Sequence, residues 1–184
     1  MAFESDLATN YNHLAKLYET SENYAEAEDL YKRALAIFER LAAENPTVIE
    51  PDLALSCSHL ANLYETTERY EEAEEFFKKA LAIRERLAAK SPAVFEPVLA
   101  MSYYSMGCLH ETNQNYAESE EFYKRSLIIR ERLAAKSPAV FEPDLMMSYT
   151  NLAHLYETNQ NHAEAEELYR KALAIHDRIA VESL

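Results

Sequence analysis

The chain has 184 residues, 48% hydrophobic and 27% charged, with one glycine and six prolines. That balance excludes a disordered chain, and so little glycine and proline favours long helices over loop-rich folds. The formal net charge of −14 excludes polyanionic partners, nucleic acid and anionic membranes alike, and steers basic or amphipathic partners inward.

Taken from the start, Glu4-Ser5-Asp6-Leu7 is a degenerate first instance of a phrase that returns as Glu50-Pro51-Asp52-Leu53, Glu96-Pro97-Val98-Leu99 and Glu142-Pro143-Asp144-Leu145, a period of 46 residues. The segment from Arg84 to Pro97 recurs unchanged from Arg130 to Pro143. A fixed period of this size marks a stacked repeat array. The repeats run approximately over 4–49, 50–95, 96–141 and 142–184, and together they form a single array, because each unit buries its apolar face only against its neighbours. Acids outnumber bases in every repeat, 9 to 4 in the first and 6 to 5 in the third, so the acidic character belongs to the whole array.

The second repeat shows the elements most plainly. Apolar Leu53, Leu55, Leu60, Leu63 and Tyr64 predict a first helix from Asp52 to about Thr66, with Pro51 in its first turn. Thr66-Thr67-Glu68-Arg69 ends it, since weak helix formers replace the apolar rhythm there. A second helix is predicted from about Tyr70 to Ala89, with Ala73, Phe76, Phe77, Ala80, Leu81, Ile83 and Leu87 as its apolar stripe. Glu71, Glu72, Glu74 and Glu75 precede Lys78, Lys79, Arg84 and Arg86, an order that suits the helix dipole and i,i+4 pairing. Pro92 ends this helix, and Ala93-Val94-Phe95 is expected to pack as a connector. Over four repeats this makes eight helices, with first helices near 15 residues and second ones near 20.

At these residues the chain resembles the tetratricopeptide repeat family, in particular its elongated repeats of the kinesin light chain type and their bacterial counterparts. The matching positions are Leu60, Ala61, Tyr64, Ala73, Phe77 and Ala80, with Leu14, Ala15, Tyr18, Ala27, Tyr31 and Ala34 before them. They return as Met106, Gly107, His110, Ser119, Tyr123 and Ser126, and then as Leu152, Ala153, Tyr156, Ala165, Tyr169 and Ala172. The resemblance covers essentially the whole chain. Tyr11, Cys57, Tyr103 and Tyr149 stand where the family has tryptophan. The resemblance implies an all-α, right-handed superhelical solenoid of four helix-turn-helix units.

It also implies that the first helix of each repeat lines a concave, partner-binding groove. The residues carried there are Thr9, Asn12, His13 and Lys16; Leu55, Ser58, His59 and Asn62; Met101, Tyr104, Ser105 and Cys108; and Met147, Thr150, Asn151 and His154. They differ between copies while the second helices are nearly interchangeable, and their mix of amide, imidazole, Met and Tyr suits adaptable recognition. Glu19, Glu65, Glu111 and Glu157 recur at the end of every first helix, against the helix dipole. Either a structural hydrogen bond or ion pair to the neighbouring repeat compensates, or Glu65 and Glu111 belong to an acidic ladder for a basic ligand.

No glycine-rich phosphate loop, HExxH or GxSxG occurs. Zinc needs about four ligands at about 2.0–2.3 Å, and the pairs His13/His59 and Cys108/His154 fall short of that. No enzyme activity, cofactor or metal site is therefore expected. Two lone cysteines, no leader with a basic cluster before an apolar core, and no apolar run near about 20 residues point to a cytoplasmic protein. The expected function is a non-catalytic scaffold that holds a partner peptide or helix. Two alternatives stay open at this point. One is a structural spacer or self-assembling module without a groove ligand; the other is a fragment or engineered excerpt of a larger protein. Leu168, Leu173, Ile175 and Ile179 match Phe76, Leu81, Ile83 and Leu87, so the last helix carries an inner repeat's apolar flank, and weak end-to-end self-association through it is expected.

Overall fold

The computed structural model describes residues 2–182. Among them are eight α-helices: α1 (Ala2–Thr20), α2 (Tyr24–Glu44), α3 (Pro46–Thr66), α4 (Tyr70–Lys90), α5 (Pro92–Thr112), α6 (Tyr116–Lys136), α7 (Pro138–Thr158) and α8 (His162–Glu182). They pack as sequential helix pairs, one pair per repeat. The chain divides into two compact units, Met1–Lys90 with the first two repeats and Ser91–Leu184 with the last two.

The first helices of the later repeats start earlier than the sequence predicts. Pro46, Pro92 and Pro138 occupy the opening turns, while Pro51, Pro97 and Pro143 lie inside the helices. The predicted connector Ala93-Val94-Phe95 is thus the first turn of α5, and these helices have 21 residues each. Proline belongs at the first helical position, where its missing N–H costs nothing. The inner proline forfeits the bond to the carbonyl four residues back, near enough to the helix start for the helix to survive.

Four left-handed residues close the turns inside the repeats. Glu22, Glu68 and Gln114 have φ of 60° and Gln160 has 63°. The next residue's N–H then reaches a carbonyl five back, as Arg69 does to Tyr64 at 2.8 Å and Asn115 to His110 at 2.8 Å. These are Schellman-type helix ends built without glycine.

A salt bridge clasps every helix pair. Arg40 meets Glu4 at 2.5 Å, and Arg86–Glu50, Arg132–Glu96 and Arg178–Glu142 each close at 2.6 Å. In each case an arginine late in the second helix reaches the glutamate near the start of the first. Glu50, Glu96 and Glu142 are buried, so the arginine supplies the counter-charge that a buried carboxylate requires.

Small residues hold the helices close. Ala27, Ala73 and Ala165, and likewise Ala34, Ala80 and Ala172, are buried. In the third repeat the same positions carry Ser119 and Ser126, also fully buried. Their hydroxyls donate to the carbonyls of Gly107 and Ala100, each at 2.8 Å. These serines are therefore satisfied donors, more than small residues that happen to fit. Gly107 faces the Tyr123 ring, where an added Cβ would lie 2.5 Å from Cδ1.

In the first unit Ala8, Ala34, Phe38, Leu41 and Ile49 share one core cluster. In the second unit the core gathers Tyr123, Leu145, Tyr149, Leu152, Leu155, Leu168 and Ile175. Repeats are tied by polar contacts as well. Tyr64 donates to Glu28 Oε1 at 3.0 Å while Arg69 meets Glu28 Oε2 at 2.7 Å. Tyr156 repeats the contact on Glu120 at 2.9 Å.

Candidate partner-binding surface

The residues expected in the groove lie on α1 and α3 in the first unit and on α5 and α7 in the second. Within the first unit, Lys16, Leu55 and Asn62 are exposed, and Ser58, His59 and Glu65 are half-buried. Lys16 Nζ lies 2.6 Å from Glu19 Oε1, and the Ser58 hydroxyl turns back to the Ala54 carbonyl at 3.1 Å. His59 stacks on Tyr31 with ring centroids 5.5 Å apart and planes 11° from parallel. Burial, with help from the Lys16 charge, holds the His59 imidazole below its ordinary pKa.

Asn12 does not share this face. It is buried between α1 and α3, where its amide donates to Ser56 Oγ at 2.7 Å and its Oδ1 has no hydrogen-bond partner. The expectation that it lines the groove is corrected accordingly. Its position in α1 turns it toward the neighbouring first helix, and an exposed reading from polarity alone misses that contact.

In the second unit Met101, Met147, Thr150 and His154 are exposed, while Tyr104, Ser105, Cys108, Glu111 and Asn151 are half-buried. Tyr104 is the most firmly placed. Its ring lies 5.7 Å from that of Tyr123, the Arg130 guanidinium sits 4.9 Å over it, and the Asn151 amide donates to its hydroxyl. Burial, then the neighbouring Cys108, pushes the Tyr104 hydroxyl up to about 12. Arg130 is itself buried and donates to the Asp144 carbonyl at 3.1 Å and to Ser148 Oγ at 2.5 Å.

Arg130 was hidden in the sequence because arginines late in an amphipathic helix read as solvated charge. One signal was available. The same repeat position holds Phe38 in the first repeat, and Phe38 is core.

Three of the recurring glutamates accept from a tyrosine of their own repeat. Tyr31 donates to Glu19 Oε2 at 2.7 Å, Tyr123 to Glu111 Oε2 at 2.6 Å, and Tyr169 to Glu157 Oε2 at 3.0 Å. In the second repeat Phe77 takes the tyrosine's place. Burial alone then raises the Glu65 pKa. Glu111 makes one contact to the next repeat, 3.3 Å from His154 Nδ1.

Cys57 is buried, and its thiol is pushed up to about 11 chiefly by that burial. Such a thiol stays protonated and unreactive at neutral pH. Among the described residues no group of three or more His, Cys, Asp or Glu side chains is placed to hold a metal ion, and no helix is long and apolar enough to cross a membrane.

Tetratricopeptide repeat profiles match residues 52–132, and again 7–46 and 145–180. Among solved structures the chain is similar to BtubC (BKLC) from P. vanneervenii, at 25% identity and a TM-score of 0.80, over 95% of this chain and 65% of that one. It is also similar to a substituted form of the "putative kinesin light chain nearly identical TPR-like repeats" of Podosopora anserina, at 23% identity and a TM-score of 0.71, over 94% and 76% of the two chains. The apo form of RapI shares the fold at 21% identity and a TM-score of 0.75, over 95% and 57%. The chain therefore spans less than two thirds of the length of BtubC and of RapI. No curated protein matches the sequence. With the matched segments spread over all four helix pairs, the chain belongs to the tetratricopeptide repeat family.

Proposed function

We propose that this chain is a non-catalytic interaction module that holds a partner peptide or helix against the first helices of its repeats. Tetratricopeptide repeats generally serve in protein interaction and are usually non-catalytic. The observation that carries the reading is one repeat position. Leu55, Met101 and Met147 occupy it, and all three are exposed large apolar side chains. Each is flanked by groups that hydrogen-bond: Ser58 and His59, Tyr104 and Ser105, Thr150 and Asn151. Thioether side chains fit varied apolar partners, and the Tyr104 ring, already fixed by three neighbours, loses little freedom on contact.

The partner is basic or amphipathic. A net charge of −14 attracts such a segment, and the half-buried carboxylates Glu65 and Glu111 offer it acceptors. A randomised peptide library panned on the immobilised protein tests this. The enriched sequences combine Lys or Arg with apolar residues, and calorimetry gives at least about tenfold weaker binding for Leu55→Ala or for Met101→Ala with Met147→Ala, as expected for anchors worth about 1.4 kcal/mol or more. No enrichment, or affinities untouched by all these substitutions, would reject the proposed surface.

A further inference from the structure

We propose, resting on the reading of the first helices as the partner-binding face, that Glu65 is its specificity-determining residue and pairs with a single Lys or Arg side chain of the partner. The four recurring glutamates are not equivalent. Glu19 has two donors of its own repeat, the Lys16 ammonium 2.6 Å from Oε1 and the Tyr31 hydroxyl 2.7 Å from Oε2. Glu111 has Tyr123 on one oxygen and His154 beside the other, and Glu157 accepts from Tyr169. One period after Glu19, Asn62 stands in place of Lys16 and Phe77 in place of Tyr31. Both donors are thereby lost, and the Glu65 carboxylate has no hydrogen-bond or ion-pair partner among the described residues.

Glu65 is half-buried, so it has given up part of its water without gaining a counter-charge. That is costly for a carboxylate, and elsewhere this chain avoids it, as Arg86 does for the buried Glu50 at 2.6 Å. An ammonium or guanidinium brought by the partner supplies the missing group in a charge-assisted hydrogen bond. A neutral or acidic side chain at the same place does not, and the site discriminates on that difference. Leu55, Ser58, Asn62 and Glu65 follow one another along α3 at i, i+3, i+7 and i+10, on one stripe of the helix. At a rise of 1.5 Å per residue, Glu65 lies about 15 Å from Leu55. The partner's cation and the apolar residue over Leu55 are therefore different residues.

Double-mutant cycles by calorimetry test this on the full chain, with the most enriched peptide of the panned library as the probe. Glu65→Gln weakens that peptide about tenfold or more, the strength of a hydrogen bond between charged groups. In the wild type, alanine in place of one Lys or Arg of the peptide costs as much. In Glu65→Gln the same replacement costs less than about twofold, because its partner is already gone. Asn62→Lys, which rebuilds the Lys16–Glu19 arrangement around Glu65, abolishes the same coupling. Glu19→Gln removes an equal charge from a carboxylate that already has its donors, and the coupling stays. Glu65→Gln has no native side-chain partner to lose, so its helical circular dichroism matches the wild type. If no cationic residue of the peptide couples to Glu65 while Leu55→Ala still weakens binding, the role of Glu65 is overturned and the binding face stands. If Leu55→Ala and the paired methionine variant are also without effect, the face falls with it.

Discussion

The Tyr123 hydroxyl donates to Glu111 Oε2 at 2.6 Å and so ties the end of α5 to the middle of α6. A carboxylate at a helix C-terminus faces the negative end of the dipole, and the phenol offsets that. Tyr123→Phe should lower stability by about 1.5–3 kcal/mol in urea unfolding, the usual worth of a hydrogen bond to a charged group. Phe77→Tyr should do the reverse, by supplying Glu65 with the donor that Glu19, Glu111 and Glu157 have.

Two groups of the first unit give opposite pH responses. The His59 imidazole is depressed below its ordinary 6.5 by burial. Its share of stability is therefore complete above 6.5 and is lost as pH falls through the depressed value. Glu65 is raised above 4.5 by burial, so its share is complete below 4.5 and is lost as pH rises through the raised value. Thermal unfolding from pH 7.5 to 4 should show less loss near pH 6 in His59→Phe. Glu65→Gln should lack the recovery at lower pH.

Gly107→Ala pits two effects against each other. Alanine gains about 1 kcal/mol of helix propensity. Its Cβ would meet the Tyr123 ring at 2.5 Å, and overpacking costs about 1–3 kcal/mol. The ring is buried and held by Glu111, so it yields little and the net loss should be about 1 kcal/mol. A gain in the urea midpoint would show that the ring moves freely.

The left-handed turn residues are sites of stored strain. Glu68 and Gln114 at φ of 60° adopt a conformation that costs an L-residue about 1–2 kcal/mol and glycine very little. Glu68→Gly and Gln114→Gly should each raise stability by about 0.5–1 kcal/mol, net of the entropy glycine adds to the unfolded chain. Denaturant titration of the two single variants and of the pair should give additive gains, since they lie in different repeats.

Much of this fold was legible from the period alone. The alanine columns marked the close helix contacts, and the polar turns marked the ends of the first helices to within a residue. The starts of those helices were not, because two prolines five residues apart both satisfy the rule for a first turn. The pattern puts Pro51 in the opening turn, and in the structure Pro46 takes that place. The candidate surface was legible less evenly. Leu55, Met101 and Met147 stand exposed as their divergence suggested, yet Asn12 is buried against Ser56 and Arg130 lies beneath Tyr104. A polar side chain's direction depends on which neighbour its helix meets, and a single repeat's pattern does not carry that.

The arginine–glutamate clasp lies wholly inside each repeat, as Arg132 with Glu96 illustrates. Its consequence is genetic. Unequal crossing-over between two copies removes or inserts 46 residues, and wherever the breakpoint falls, the hybrid repeat regains one arginine and one glutamate at the same spacing. Such an array can change length in one step without leaving a buried carboxylate alone.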